Sequence, residues 1–594
     1  MSEAQEIIDT AVQNQPKLCL PGRRGCLRGC LIVFILLALP VWWFCLHTTP
    51  LRVSKETTYV LGPMTSDGKR IDYFRAMEER YYPPEMKTDD NGYRLIVRAC
   101  GATFDEENVH PELIRQQIYE KLGLDPNIKP TMKPIESPWK LIVEYDKEHP
   151  PAEGEKTLGD KYGVVRTFWT FDEFPMFKDW LEENTAGIDM LAKAVRKPAF
   201  FIPYVREHEN TPAVVATLRL DIAQTMREWA RAAHARAHYR LGIGDIDGAI
   251  NDIVTLHHLG RHAGKQGTFV AGFVGIAIEG LARSIGIGNN PKFPPTKEQI
   301  ERLIAELDAL PPRWTLEECL ESERYYGLAV LQDLYWGINP GFDDDPFPYF
   351  RLLFPGLKWT LDINLAMAKQ NKVYDAMTIP GATIDGETLE EFLEQSAGRQ
   401  SAGSPYNPLP LLFVRSRTDR IMRTLMSLFI PAVQAGREAW RRNECLENMQ
   451  RLTLALLLYE KEHGSLPEGD WREAIRPYLG EDADRYFQCP SHRLGEGETN
   501  YAMIGGVENG VDSPNRILIA EVMQPQRLGE GDGRLPVAKA QFGNYGDTDF
   551  DGLGSRHPGG INIGMRSGGL RFISVTTKPD VLQSLLDGTA TALP

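Results

Sequence analysis

Cysteine is scarce in this sequence: 8 of 594 residues are Cys, which excludes the disulfide-dense scaffolds of small secreted domains. Glycine (53) and proline (41) are too few for a collagen-like or low-complexity chain. Basic residues number 66 against 81 acidic ones, and the formal charge of −15 argues against a nucleic-acid partner, because phosphate repels an acidic surface. Hydrophobic residues make up 42%, so the bulk of the chain is predicted to be globular.

The common catalytic motifs are missing as well. The sequence has no Gly-x-Ser-x-Gly elbow, no Walker loop, no Gly-x-Gly-x-x-Gly after a predicted strand and no Cys-x-x-Cys pair. His234 with His238, and His258 with His262, have the i, i+4 spacing of zinc ligands on a helix, but no His-Glu-x-x-His accompanies them. Partly buried or surface histidines are the other interpretation. The sequence therefore assigns no reaction.

One run near the start of the sequence carries no charge. The 23 residues 29–51 would reach roughly 35 Å as a helix, enough for a ~30 Å hydrocarbon core. More basic residues precede the run than follow it: Lys17, Arg23, Arg24 and Arg28 against Arg52 and Lys55. The positive-inside rule then predicts a single-pass inner-membrane protein with a cytoplasmic N-terminus and an extracytoplasmic bulk. A cleaved signal peptide and a buried core helix are the alternatives.

Composition and patterning predict a multidomain α+β fold. The predicted segments are a cytoplasmic tail (1–28), a transmembrane helix (29–51), a mixed α/β domain (57–185), a helical domain (186–335), an irregular connector (336–417) and a C-terminal domain (418–594). The β-rich runs 93–99, 140–145 and 164–171 predict strands in the mixed domain. A long helix is predicted from about 418 to 463, followed by short strands.

Several motifs follow one another in the C-terminal domain. They are Ile430-Pro-Ala-Val-Gln-Ala-Gly-Arg437, Tyr459-Glu-Lys-Glu-His-Gly-Ser-Leu-Pro467, Gln488-Cys-Pro-Ser491, Asn500-Tyr-Ala502, Ile519-Ala-Glu521 and Ser555-Arg-His-Pro-Gly-Gly-Ile-Asn562. In this order they resemble the pilin-like (type II secretion pseudopilin-like) family of unknown function from planctomycete-type bacteria. The resemblance covers about 160–170 residues. It implies a long N-terminal helix packed on a small antiparallel sheet and a disulfide between Cys445 and Cys489, with two buried free thiols as the alternative.

The residues of the predicted long helix agree with that arrangement. One face has the spacing 4, 3, 4, 3 and is predicted to cover the sheet: Cys445, Met449, Leu452, Leu456 and Tyr459. The other face is predicted to meet water: Glu447, Gln450, Arg451 and Lys461. Gly464 suits a C-cap. The family begins with a peptidase signature and a free apolar helix, whereas 420–430 lies deep in this chain, so processing and fibre assembly are not expected.

Alternating carboxylates predict one metal site. Asp547, Asp549 and Asp551, followed by Gly552, form the opening of a calcium loop, because Ca²⁺ takes several oxygen ligands around a tight turn. A full EF-hand loop would place Glu at 558, where this chain has Pro558. A calcium site and a solvated acidic turn both remain open.

These observations favour a single-pass, membrane-anchored, non-catalytic protein of the bacterial cell envelope that presents a pilin-like domain to other envelope proteins. The alternative is an extracytoplasmic hydrolase or binding protein with its site in residues 57–335.

Overall fold

A computed structural model describes the chain over residues 50–102, 111–152, 168–205, 220–336, 361–394, 413–492, 494–505, 513–542 and 550–590, with residues 35, 155 and 157–160 besides. The predicted fold class is wrong in its transmembrane helix, because no helix within these described residues is long and apolar enough to cross a membrane. The run that suggested the span, 29–51, lies outside the described residues except for Ile35, Pro50 and Leu51.

Most of the described chain is helical. The helices are α1 (Tyr73–Tyr81), α2 (Gly92–Cys100), α3 (Pro111–Lys121), α4 (Pro138–Glu148), α5 (Phe177–Ala194), α6 (Leu220–Ile243), α7 (Ile246–Gly264), α8 (Phe269–Ser284), α9 (Lys297–Asp308), α10 (Leu316–Trp336), α11 (Ile363–Thr378), α12 (Val414–His463), α13 (Trp471–Ile475), α14 (Ala483–Tyr486) and α15 (Pro579–Asp587). The strands are β1 (Glu498–Gly505), β2 (Ile517–Arg527), β3 (Arg534–Pro536), β4 (Gly560–Met565) and β5 (Leu570–Ser574).

The strands predicted at 93–99 and 140–145 are wrong, because these runs form α2 and α4. Asn91 caps α2 by accepting a hydrogen bond from the backbone N–H of Tyr93, and Pro138 occupies the first turn of α4. The buried residues of α2 recur at helical spacing, so tertiary packing overrides their β-propensity. Of the third run, 164–167 lie outside the described residues, and 168–171 form no strand.

The C-terminal sheet is mixed rather than antiparallel. Its strand order is β3-β1-β2-β4-β5. The pairs β1–β2, β2–β4 and β4–β5 are antiparallel, and β3 runs parallel to β1. The sheet lies against α12, and Cys445, Met449, Leu452 and Leu456 are fully buried in that contact, which confirms the predicted sheet-facing stripe.

The predicted water-facing side of α12 is wrong in part. Gln450 and Arg451 are buried, because the helical region covers this side of α12. Arg451 donates to the backbone oxygen of Ile304 at 2.9 Å and pairs with Asp308 at 2.6 Å, both at α9. Helix α12 ends at Gly464 with a left-handed φ of +79°, as the C-cap prediction requires.

The hydrophobic cores join α12 to the rest of the molecule. Leu454 and Leu457 belong to the large core formed by residues between 93 and 307, and Met422 belongs to the core around α1, α10 and α11. Helix α12 therefore packs against the helical region with one side and against the sheet with the other. The domain boundaries predicted above stay a prediction.

Candidate metal centre

Four side chains with metal-ligating atoms meet between α12 and the sheet: Cys445, Cys489, Glu521 and His557. One ligand atom from each lies within 4.8 Å of the others. Their exposed fractions are 0%, 2%, 0% and 2%, so the group is closed to solvent. We call these four residues the Cys-Glu-His cluster. No other such group occurs in the part of the chain that the structure describes.

Each member of the cluster comes from a different element. Cys445 lies on the sheet-facing side of α12, and Cys489 lies in the loop after α14. Glu521 lies on β2, where its neighbours are apolar, and it pairs with Tyr501 of β1 across the sheet. His557 lies in the loop that leads into β4. Packing of the helix on the sheet therefore brings together residues up to 112 positions apart in the chain.

The contacts inside the cluster are short. Cys445 Sγ donates to Glu521 Oε1 at 3.0 Å, and Cys489 Sγ lies 3.4 Å from His557 Nε2. His557 Nε2 lies 3.3 Å from Glu521 Oε1. Nε2 therefore contacts the sulfur of Cys489 and Oε1 that of Cys445, and all four ligand atoms lie within 4.8 Å of one another.

A second layer of groups orients these ligands. His557 Nδ1 lies 2.5 Å from Glu438 Oε1, on the preceding turns of α12, and Ser491 Oγ donates to the same carboxylate at 3.1 Å. The backbone N–H of Asn562 donates to Glu521 Oε2 at 2.6 Å. The remaining oxygen of Glu521 and the remaining nitrogen of His557 are therefore turned into the cluster.

Comparison with known proteins supports only part of the resemblance. Residues 434–482 match a family model described as a protein of unknown function, DUF1559. No curated protein and no solved structure matches the chain significantly. The DUF1559 match lies mainly on the second half of α12 and includes Cys445, whereas Cys489, Glu521 and His557 fall beyond it.

Burial and mutual contact perturb the titration of the cluster. Burial opposes the imidazolium of His557, but hydrogen bonds with Cys489, Glu438 and Glu521 outweigh it and raise its pKa to about 11. The hydrogen bond from Cys445 is the largest influence on Cys489 and, with His557, lowers its pKa to about 7 against the effect of burial. Negative charge is therefore favoured on Cys489 and Glu521, and the imidazolium of His557 lies beside both.

The structure brings the two predicted cysteines together as free thiols, so the disulfide that the resemblance implied is not formed here. Asp547 and Asp549 of the predicted calcium loop lie outside the described residues. Asp551 is exposed and pairs with Lys539 Nζ at 2.6 Å. The calcium site stays a prediction.

The predicted histidine pairs do not gather further ligands. His234 Nε2 and His238 Nε2 are 3.2 Å apart, and neither belongs to a described group of three or more metal-ligating residues. His262 is buried and its Nε2 lies 2.8 Å from the backbone oxygen of Val195, which is a structural contact.

Sequence reasoning missed Glu521 and His557 as ligands. Both lie inside motifs that carry the family resemblance, Ile519-Ala-Glu521 and the run 555–562. A signal for Glu521 was available, because a carboxylate inside the apolar run Ile517-Leu-Ile-Ala-Glu-Val522 must find a partner when the strand is buried. His557 carries no comparable signal, since a histidine in a Pro-Gly-Gly turn is ordinary.

Proposed function

We propose that the chain is a non-catalytic structural protein of the bacterial cell envelope, in which a pilin-like domain is held as a fixed scaffold for other envelope proteins. The DUF1559 match on α12 and the order of a long helix followed by a small sheet support the pilin-like part. The planctomycete-type origin rests on the family resemblance, and the location in the envelope on that resemblance and on the uncharged run 29–51 with its flanking charges.

One observation carries the proposal: one side of α12, including its first half, is packed against its own chain. Near its start, Thr418 is buried and accepts a hydrogen bond from the backbone N–H of Asp362 at 2.8 Å, and Lys369 of α11 pairs with Asp419. Helix α12 is therefore tied to α11 before it reaches the sheet. In a pilin-type fibre, the corresponding segment is free to pack against other copies.

The middle of α12 is held by a buried charge network. Glu279 of α8 accepts a hydrogen bond from Asn443 Nδ2 at 3.0 Å, and Arg283 Nη1 donates to Asn443 Oδ1 at 2.6 Å. Glu447, one turn further along α12, pairs with Arg261 at 3.3 Å and with Arg313. Removing α12 would take Glu447 and Asn443 away and leave three arginines around the single carboxylate of Glu279, so the helix is an integral part of the fold.

The same network bears on the alternative function. Among the described residues of 57–335, Glu279 is fully buried and pairs with three arginines, Arg261, Arg283 and Arg313, at 2.6–2.9 Å. Such a carboxylate stabilises the fold and has no room for a substrate. The hydrolase or binding protein therefore stays a second prediction without support from this group.

Hydrogen exchange tests the scaffold proposal directly. In the full-length protein, amides of α12 from Met422 to Glu460 should exchange as slowly as those of α7, because each helix buries residues in a hydrophobic core along this length. Exposed α4 is the internal control for fast exchange. Exchange of the first half of α12 at the rate of α4 would overturn the proposal.

Assembly and activity give independent tests. We expect discrete particles and no filaments in negative-stain electron microscopy of the purified full-length chain. Filaments would contradict the fixed scaffold. Hydrolysis of ester, peptide or glycoside substrates, with an activity that follows the chain through purification, would contradict the non-catalytic role and favour the hydrolase.

A further inference from the structure

We propose that Cys445, Cys489, Glu521 and His557 bind one Zn²⁺ ion as a closed structural site that fastens α12 to the sheet. This inference is independent of the scaffold proposal, because a zinc site would stabilise the same fold whatever the protein does. It rests on the identity, placement and surroundings of the four donors.

The donor set selects zinc over the hard cations. Two sulfur atoms, one imidazole nitrogen and one carboxylate oxygen are ligands that Zn²⁺ accepts, whereas Ca²⁺ and Mg²⁺ take oxygen ligands. A closed set of four protein ligands is typical of a structural zinc site, since a catalytic site keeps one position for water. All four residues are buried, so the set is closed.

The distances fit a tetrahedron. Bonds of about 2.3 Å to sulfur and 2.0–2.1 Å to nitrogen or oxygen place neighbouring ligand atoms about 3.3–3.8 Å apart. The ligand atoms of Cys445 and Glu521 are 3.0 Å apart, those of Glu521 and His557 3.3 Å, and those of His557 and Cys489 3.4 Å. These distances are close to the edges of the tetrahedron. The longest separation in the group is within 4.8 Å, so displacements of about an ångström complete the polyhedron.

The surroundings of His557 fix the atom that would bind. Glu438 Oε1 lies 2.5 Å from Nδ1 and accepts its hydrogen, which directs Nε2 at the cluster, so that its lone pair faces the ion once zinc has displaced the Nε2 proton. A carboxylate behind a metal-bound histidine is the usual way of setting its tautomer and orientation. Glu521 is held in the same manner by the backbone N–H of Asn562 at 2.6 Å.

An entry path lies beside Cys489. A cavity of about 460 Å³ is lined by polar and charged side chains and reaches this residue: Glu444, Glu447, Asn448, Arg485, Tyr486 and His492 are among its walls. Zinc entering there would displace the protons of the two thiols and of His557 Nε2, leaving two thiolates, a neutral imidazole and a carboxylate on the ion. No oxidant or reductant is needed.

Metal content of the full-length protein tests the site. We expect one zinc per chain by mass spectrometry when the protein is purified without chelators. Cys489→Ser and His557→Gln should each lose it. Cys100→Ser and Cys319→Ser are matched controls, because these thiols are also buried and free but lie outside the cluster, and they should keep one zinc.

A measurement on the wild-type chain covers the case in which the variants fail to fold. Cobalt exchanged into the intact protein should show a thiolate-to-cobalt charge-transfer band and the intense d–d bands of a tetrahedral site. Absence of these bands, zinc retained by the Cys489→Ser variant, or a Cys445–Cys489 disulfide in wild-type protein purified without chelators would each overturn the inference.

Discussion

Replacing Glu279 by Gln tests whether the buried charge network holds the helical region and α12 together. The substitution keeps the shape of the side chain and removes its charge. Burial opposes the charge of Glu279, but Arg313, Arg283 and Arg261 outweigh it and hold its pKa well below the ordinary value, so the carboxylate is ionised at neutral pH. The amide would face three guanidinium groups instead.

The expected loss follows from what remains after the substitution. Arg261 and Arg313 would share Glu447, and Arg283 would keep only the neutral Asn443, with which it makes a 2.6 Å hydrogen bond. Removing one partner of a buried ion pair costs about 3–5 kcal/mol, because the other charge stays buried without compensation. Each 1.4 kcal/mol changes the equilibrium constant for opening by a factor of ten. Amides that open with this network should therefore exchange about two to three-and-a-half orders of magnitude faster.

Native-state hydrogen exchange followed by mass spectrometry provides the assay, since the amides of α8 and α12 report local stability in a multidomain chain. Glu183→Gln is the matched control, because Glu183 pairs with Lys133 at 2.6 Å on the surface with both side chains more than half exposed, and it should leave exchange unchanged. If Glu279→Gln exchanges like Glu183→Gln in both helices, the network does not fasten α12 and the reasoning is refuted.

Two further predictions concern stability. Burial lowers the pKa of His262 to about 4, below the ~6.5 of the unfolded chain, so the unfolded state takes up the proton first as the pH falls. Between pH 6.5 and 4 the wild-type protein should therefore lose up to about 3 kcal/mol more stability than His262→Gln in thermal unfolding; parallel curves for the two proteins would contradict it. Gly564→Ala would place its Cβ 2.4 Å from Thr453 Oγ1 on α12 and should destabilise the protein by about 1–3 kcal/mol. In Gly280→Ala the new Cβ meets nothing within 4 Å, and this variant should stabilise helix α8 by about 0.5–1 kcal/mol. Equal shifts in unfolding temperature for Gly564→Ala and Gly280→Ala would contradict the close contact between β4 and α12.

Local pattern determined α12 more closely than any other element. Its sheet-facing stripe and the glycine that ends it follow from helical periodicity and from the left-handed conformation that Gly464 adopts, and both depend on neighbouring residues only. The runs at 93–99 and 140–145 were misassigned because their β-rich composition is a weak preference, which capping and burial of one helical face outweigh.

The sequence by itself determined the acidic character of the chain and the long helix with its apolar stripe. Tertiary structure alone decided that Gln450 and Arg451 are buried, and Arg451 meets a helix more than 140 residues earlier in the chain. It also decided that Glu521 and His557 join the cysteines. The physical reason is that periodicity acts over one or two turns, whereas convergence of distant side chains depends on how whole helices and strands pack.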